Sequence, residues 1–254
     1  MVKKAWIAGI FLLLLSVESR GQVWKDKYLQ AQDLYAADKY DQAFLLAEES
    51  DKSYVSENGA TGDNYAAILR LLSTISYAQQ KLPRGIAFLE KELQVRIDKK
   101  DTVYAVALTN KALFEQQLGQ YEKSLNSLLE CETILNQYYK SDDLPVIECN
   151  LKLGVTNYFL GDQAKARAYF TLSLAAVEKK NEYTQDILEA MYYSGMLHLE
   201  TGDYSSALKT FSRTQEIYSA AGLTNTLGYP LVLYGMADAF HKMGDFTRAD
   251  GLYK

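Results

Sequence analysis

The feature that most constrains this chain is a phrase that returns at a nearly fixed interval. Marked by the helix-breaking spot in "TGDY" and "MGDF", it recurs at Asp38, Gln80, Gly119, Gly161, Gly202 and Gly244, with spacings of 42, 39, 42, 41 and 42 residues. So regular a period is the signature of stacked supersecondary units, each of which buries its apolar side only against its neighbours. A size rule travels with the anchor. Seven residues before it stand Ala31, Ser73, Ala112, Gly154, Gly195 and Ala237, and five after it stand Ala43, Gly85, Ser124, Ala166, Ala207 and Ala249, all small. Two after it come Tyr40, Leu82, Tyr121, Gln163, Tyr204 and Phe246, and nine after it Ala47, Leu89, Leu128, Phe170, Phe211 and Tyr253, mostly large. Small residues at two fixed places let two helices approach closely, and large ones beside them fill the space next to the crossing. Each unit is therefore expected to be a helix, a tight turn at the anchor, and a second helix.

The punctuation agrees. Glycine at four of the anchors suits a helix end that needs a left-handed residue. Asp162, Asp203 and Asp245 follow at once, placed to cap the next helix. Pro83 falls where a second helix would begin, and Pro145 and Pro230 near the start of first helices, where the first-turn N–H has no partner to lose. Proline is otherwise absent, so long stretches lack helix breakers. With 254 residues, of which 48% are hydrophobic, the chain can build a substantial core. The expected fold class is all-α, with about six helix–turn–helix repeats starting near residues 24, 66, 105, 147, 188 and 230, the last incomplete, within a domain spanning 22–254.

The segments "GQYEKSLNSL", "GDQAKARAYF", "GDYSSALKTF" and "GDFTRADGLY" resemble the turn and second helix of the tetratricopeptide repeat, whose pattern there is Gly-x-aromatic-x-x-Ala-x-x-x-aromatic. The resemblance covers roughly residues 24 to 254. It is strong in repeats three to six and weaker in the first two, where Asp38 and Gln80 replace the anchor glycine, Lys27 stands at a usually apolar position and "KLPRG" replaces the usual turn. The period exceeds the commonest 34 of the family. It is similar to the long-helix variety of kinesin light chains and bacterial signalling proteins, with the extra residues lengthening the second helix and the loop after it. The resemblance implies a right-handed α-solenoid with an extended concave face lined by first helices.

On that face the family's contact positions fall on Tyr28 and Tyr35 in repeat one, Arg70, Thr74 and Tyr77 in repeat two, and Thr109, Leu113 and Gln116 in repeat three. They continue with Leu151, Val155 and Tyr158, then Tyr192 and Met196, then Tyr234, Asp238 and His241. Tyrosine offers large contact area, few rotors to freeze and a hydroxyl to orient a ligand. The expectation is a tyrosine-rich groove, with Arg70 and Gln116 among its polar groups, that takes an extended or helical protein segment. Such tyrosines can also serve only to pack neighbouring first helices.

The N-terminus reads differently. In "MVKKAWIAGIFLLLLSVESRGQ", Lys3 and Lys4 precede an apolar run from Ala5 to Val17, and small residues follow at Ser19 and Gly21. This is the three-part pattern of a secretory signal peptide over residues 1–21. The run is about 13 residues, short for a bilayer span of roughly 20. Loss of Lys3, Lys4, Arg20 and Glu18 takes a net +2 from the formal charge of -5, leaving -7 for an exported chain. Such a balance argues against nucleic-acid binding, which needs clustered positive charge.

Catalytic chemistry is not expected. There is no nucleophile elbow, phosphate-cradling glycine loop, His-x-x-x-His or Cys-x-x-Cys, so no cofactor or metal is assigned; His198 and His241 alone do not make a zinc site. Cys131 and Cys149 lie equidistant from the loop near Lys140, a candidate disulfide in an oxidising compartment. The last repeat stops within its second helix, which is expected of a chain that continues in its natural form. An exported leader followed by long repeats resembles the front of proteins ending in a caspase-like CHAT protease domain, and the sensor half of histidine kinases. The alternative to a scaffold is thus a regulatory region whose partner is its own C-terminal catalytic domain. Intact-mass and N-terminal sequencing of the exported protein are expected to place its first residue at Gln22.

Overall fold

The left-handed turn is the element from which the fold is built. The structure is a computed structural model that describes residues 23–253; the expected leader, residues 1–21, lies outside them. Every anchor has a positive φ: Asp38 60°, Gln80 59°, Gly119 70°, Gly161 78°, Gly202 80° and Gly244 81°. The next N–H reaches back five residues, as in Gln120 to the Glu115 carbonyl at 2.8 Å and Asp203 to the His198 carbonyl at 2.9 Å. The anchor's own N–H bonds the carbonyl three back, as in Gly161 to Tyr158 at 3.0 Å. These paired bonds satisfy the orphan carbonyls of a helix end and reverse the chain in very few residues. Glycine makes that conformation cheap. Asp38 and Gln80 hold it at a cost of roughly 1 kcal/mol each.

Among the described residues the chain is all helix. Repeat one is α1 (Val23–Ala36) and α2 (Tyr40–Asn58), repeat two α3 (Gly62–Ala78) and α4 (Leu82–Val95), repeat three α5 (Thr102–Gln117) and α6 (Tyr121–Tyr138). Repeat four is α7 (Leu144–Phe159) and α8 (Gln163–Lys180), repeat five α9 (Gln185–Glu200) and α10 (Tyr204–Ala220), and repeat six α11 (Gly228–Lys242) and α12 (Phe246–Leu252). This is the all-α helical-repeat solenoid class. Asp162, Asp203 and Asp245 cap as expected, accepting from the N–H groups of Lys165, Ser206 and Arg248 at 3.1, 3.1 and 3.0 Å. The second helices are long, 17 to 19 residues in α2, α6, α8 and α10. Shorter are α12, with 7, and α4, with 14. Helix α4 stops before Arg96, a buried guanidinium that donates to Asp63 at the start of α3 and to Asp101, the N-cap of α5, each at 2.6 Å. The shortened interval between Gln80 and Gly119 belongs to this repeat.

The chain divides into two units, with the boundary between Ile134 and Leu135 inside α6. In the first, α1 packs on α2, α2 on α3, α3 on α4 and α4 on α5. Its core includes Trp24, Phe44, Ile68, Leu72 and Ile75. In the second, α7 packs on α8 and α9, and α9 on α10 and α11, around Ile147, Leu151, Phe170, Phe211 and Val232.

The twelve small positions of the sequence are all buried. Their purpose shows at Gly154, where an added Cβ would lie 2.6 Å from the Phe170 ring. At Gly195 it would lie 2.5 Å from the Phe211 ring. In repeat three the same two places hold Ala112 and Leu128, both fully buried. In repeats three to five a glycine on the first helix thus goes with a phenylalanine on the second, and an alanine with a leucine, so that the larger ring fills the volume the missing side chain leaves.

Gly154→Ala is therefore expected to destabilise the protein by about 1–3 kcal/mol through overpacking, despite alanine's better helix propensity. Combining it with Phe170→Leu recreates the pair found in repeat three. Urea denaturation of the two single variants and the double should show the double less destabilised than the sum.

Candidate functional site

Side chains on first helices that escape the crossings are the candidates for recognition. In the second unit they gather into an aromatic cluster. Tyr158 and Phe159 close α7, and their rings meet edge-on at 5.4 Å. Tyr193 of α9 lies 5.4 Å from Tyr158 and 5.0 Å from Phe159, and Tyr192 beside it lies 5.2 Å away. Tyr192 in turn rests 6.0 Å from the core ring of Phe211. Phe159 is 41% exposed, while Tyr158, Tyr192 and Tyr193 are half-buried. Leu231 and Tyr234, one turn apart on α11, are 47% and 57% exposed. Between α9 and α11 lies a recess of about 150 Å³, lined by Gln185, Glu189, Tyr192, Tyr193, Tyr218, Leu227, Gly228 and Leu231.

The polar groups of this face are mostly acidic. The Tyr158 hydroxyl donates to the Glu200 carboxylate, one repeat further along the chain. Burial, reinforced by that carboxylate, pushes the Tyr158 phenol well above its usual range, and burial and Glu200 also raise Tyr192. Both hydroxyls are therefore protonated donors at neutral pH. Lys152 of α7 is bound to Asp186 of α9.

The first unit treats its predicted residues differently. Tyr28 is 6% exposed, so it belongs to the core rather than to an open groove. Burial pushes its phenol up to about 12, with Arg70 lowering it and Glu92 raising it. Arg70 turns towards the second helix of its own repeat, where its Nε donates to Glu92 at 2.9 Å. Glu92 is fully buried and its burial raises its carboxyl, an effect that Arg70 opposes. The cation expected to meet a ligand is thus engaged in neutralising a buried acid, as a carboxylate out of water requires. Tyr35 packs on Tyr40 of α2 at 5.7 Å. Tyr77 stacks on Phe114 of α5 at 5.0 Å, and the amide that reaches its hydroxyl, at 2.7 Å, is that of Gln117; the expected Gln116 is half-buried beside it. A second recess, of about 480 Å³, lies among α4, α5 and α6. Its ionic groups are largely spent on each other: Glu115 accepts from Ser127 at 3.0 Å and pairs with Lys111 at 3.2 Å.

Cys131 and Cys149, the pair of the disulfide expectation, are both buried. The Cys131 sulfur is directed at α5, 3.2 Å from the Thr109 hydroxyl and 3.4 Å from the Ala105 carbonyl it donates to. Among the described residues no group of three His, Cys, Asp or Glu side chains could hold a metal ion, and no helix is long and apolar enough to cross a membrane.

Sequence reasoning located Tyr158, Tyr192 and Tyr234 on this face and missed Phe159, Tyr193 and Leu231. The signal for the first two was present in the doubled aromatics of "TNYFL" and "AMYYS". A single contact register admits one member of each pair, whereas about 100° of helix face admits both.

A family model described as Tetratricopeptide repeat matches residues 103–179, and a second of the same description matches residues 189–220. A comparison with curated proteins finds no match. Among solved structures, the apo form of RapI is similar at 14% identity over 91% of this chain and 95% of RapI, with a TM-score of 0.71. A tetratricopeptide repeat protein from Parabacteroides merdae is 20% identical over 91% of this chain and 78% of its own, with a TM-score of 0.64. A Rap protein complexed with Competence and Sporulation Factor is 13% identical over 91% of this chain and 72% of its own, with a TM-score of 0.58. At these identities the likeness is one of fold.

His198 on α9 supplies a test of the local electrostatics. Burial, then Arg167, holds its imidazole below the usual value, and Asp203, 3.6 Å away, only partly offsets them. A group depressed in the folded state contributes stability that is present above its unfolded pKa of about 6.5 and lost as pH falls through the folded value. The wild type is therefore expected to lose stability as pH drops below about 6.5. His198→Gln should lose less over the same interval. Urea midpoints at pH 7.5 and 5.5 compare the two, since the carboxylates they share cancel.

Proposed function

Because the chain belongs to the tetratricopeptide-repeat proteins, we propose that it is an exported interaction scaffold without chemistry of its own, and that it takes an extended or helical protein segment along the aromatic face of α7, α9 and α11. The observation that carries this reading is the cluster of Tyr158, Phe159, Tyr192 and Tyr193, continued on α11 by Leu231 and Tyr234. A contiguous apolar surface of this kind is where a soluble protein meets a partner. The tyrosines are already held by one another and by Phe211, so binding freezes few rotors. The complex of a similarly folded Rap protein with Competence and Sporulation Factor supports ligand capture on such a fold. The expected six-tyrosine groove is accordingly narrowed to the tyrosines of α7, α9 and α11. The signal-peptide pattern in the sequence of residues 1–21 supports export.

The test is a selection of random displayed peptides on the purified protein, followed by affinity measurement on the Tyr192→Ala/Tyr193→Ala variant. Selected peptides are expected to lose affinity at least tenfold, about 1.4 kcal/mol. Circular dichroism and the thermal midpoint establish that the variant is folded. A folded variant that binds the peptides unchanged would show that this face is not the site.

A further inference from the structure

The charge around the aromatic face says what kind of segment it fits, a step that rests on the reading of that face as the binding surface. We infer that its occupant is a basic segment, with an arginine or lysine whose stem lies against Tyr192 and Leu231 and whose charged head meets Glu189. Three observations lead there. The recess between α9 and α11 has apolar walls in Tyr192, Tyr193 and Leu231, and its polar lining is Glu189, Gln185 and the Tyr218 phenol. At about 150 Å³ it has room for one side chain, not for a helix. A long basic side chain is the type that covers apolar surface with its methylenes while its charge stays at the edge.

The second observation is charge. Glu148, Glu189, Glu200 and Asp238 lie on α7, α9 and α11. The cations of these helices are Lys152, His198, His241 and Lys242. Lys152 is bound to Asp186, His198 is held towards its neutral form, and the His241 ring packs on Phe246 at 5.2 Å. Lys242 stands two turns beyond Tyr234, in the last turn of α11. An acidic segment would meet these carboxylates, and Lys152, the cation felt by Glu148 and Glu189, is already bound to Asp186; like charges at an interface are costly. The third observation is the aromatic surface itself. The faces of Tyr158, Tyr192 and Tyr193 carry the negative side of the ring quadrupole, which attracts guanidinium and ammonium groups.

The peptides selected on the wild-type protein provide the test. They are expected to carry arginine or lysine interleaved with apolar residues, above the library frequency. Their affinity should fall about tenfold in Glu189→Gln/Glu200→Gln. The charge-matched variant Glu57→Gln/Glu122→Gln, altered at exposed sites on α2 and α6, should bind within about twofold of wild type, as expected of screened surface charge. Two outcomes overturn the inference and leave the face itself standing: selected peptides that depend on Tyr192 and Tyr193 but are neutral or acidic, and peptides weakened equally by both glutamine pairs. Peptides indifferent to Tyr192 and Tyr193, or no enriched peptides at all, would remove the face and the inference together.

Discussion

Everything in this protein depends on how closely two helices can cross. In repeats four and five the first helix gives up its side chain altogether, at Gly154 and Gly195, and a phenylalanine from the second helix fills the vacated volume. Phe211 serves two crossings at once. It sits against Gly195 of α9 and also where a Cβ on Gly235 of α11 would lie, 2.5 Å from the ring. One side chain thereby sets the approach within a repeat and the approach of the next first helix. The spacing of α9 and α11, and so the recess between them, is a consequence of that packing.

Repeat two follows a different physical route. Its anchor is Gln80 rather than glycine, its second helix is shorter than α2, α6, α8 and α10, and buried charge adds to the apolar packing of Ile68, Leu72 and Ile75. Arg96 joins the starts of two first helices through Asp63 and Asp101, and Arg70 joins α3 to a fully buried Glu92. A buried carboxylate is tolerable only with such a partner, and removing the partner would strand it. Arg70 is thereby committed to the interior of its repeat.

In repeats four and five, in the second unit, the crossings are closed by glycine and phenylalanine, and the aromatic pairs at 158–159 and 192–193 build outward from the core ring of Phe211. Rings that support one another need little ordering when a partner arrives. The same face carries carboxylates, one of which accepts the Tyr158 hydroxyl. Stability and recognition share residues here: Phe211 packs the crossing on one side and supports Tyr192 on the other.

How much of this was legible in the sequence follows from the range of each interaction. The turns, the Asp162, Asp203 and Asp245 caps, and the small positions at the crossings could be read directly, because each depends on backbone conformation or on neighbours at a fixed offset. The short α4 departed from the expected lengthening of second helices, since Arg96 and its two aspartates come from three separate segments. Tyr28 and Tyr192 occupy the same place on their first helices, and Tyr77 lies about two turns further along the same face, yet Tyr28 is buried, Tyr77 stacks on α5, and Tyr192 faces the α9–α11 recess. Likewise Cys131 turns to α5 and Arg70 to Glu92. The sequence by itself determined the repeat, its turns and its helix pairs, which are local and size-governed. Only the tertiary structure decided which side chains remain available to a partner, because that depends on groups a helix or a whole repeat away in the chain.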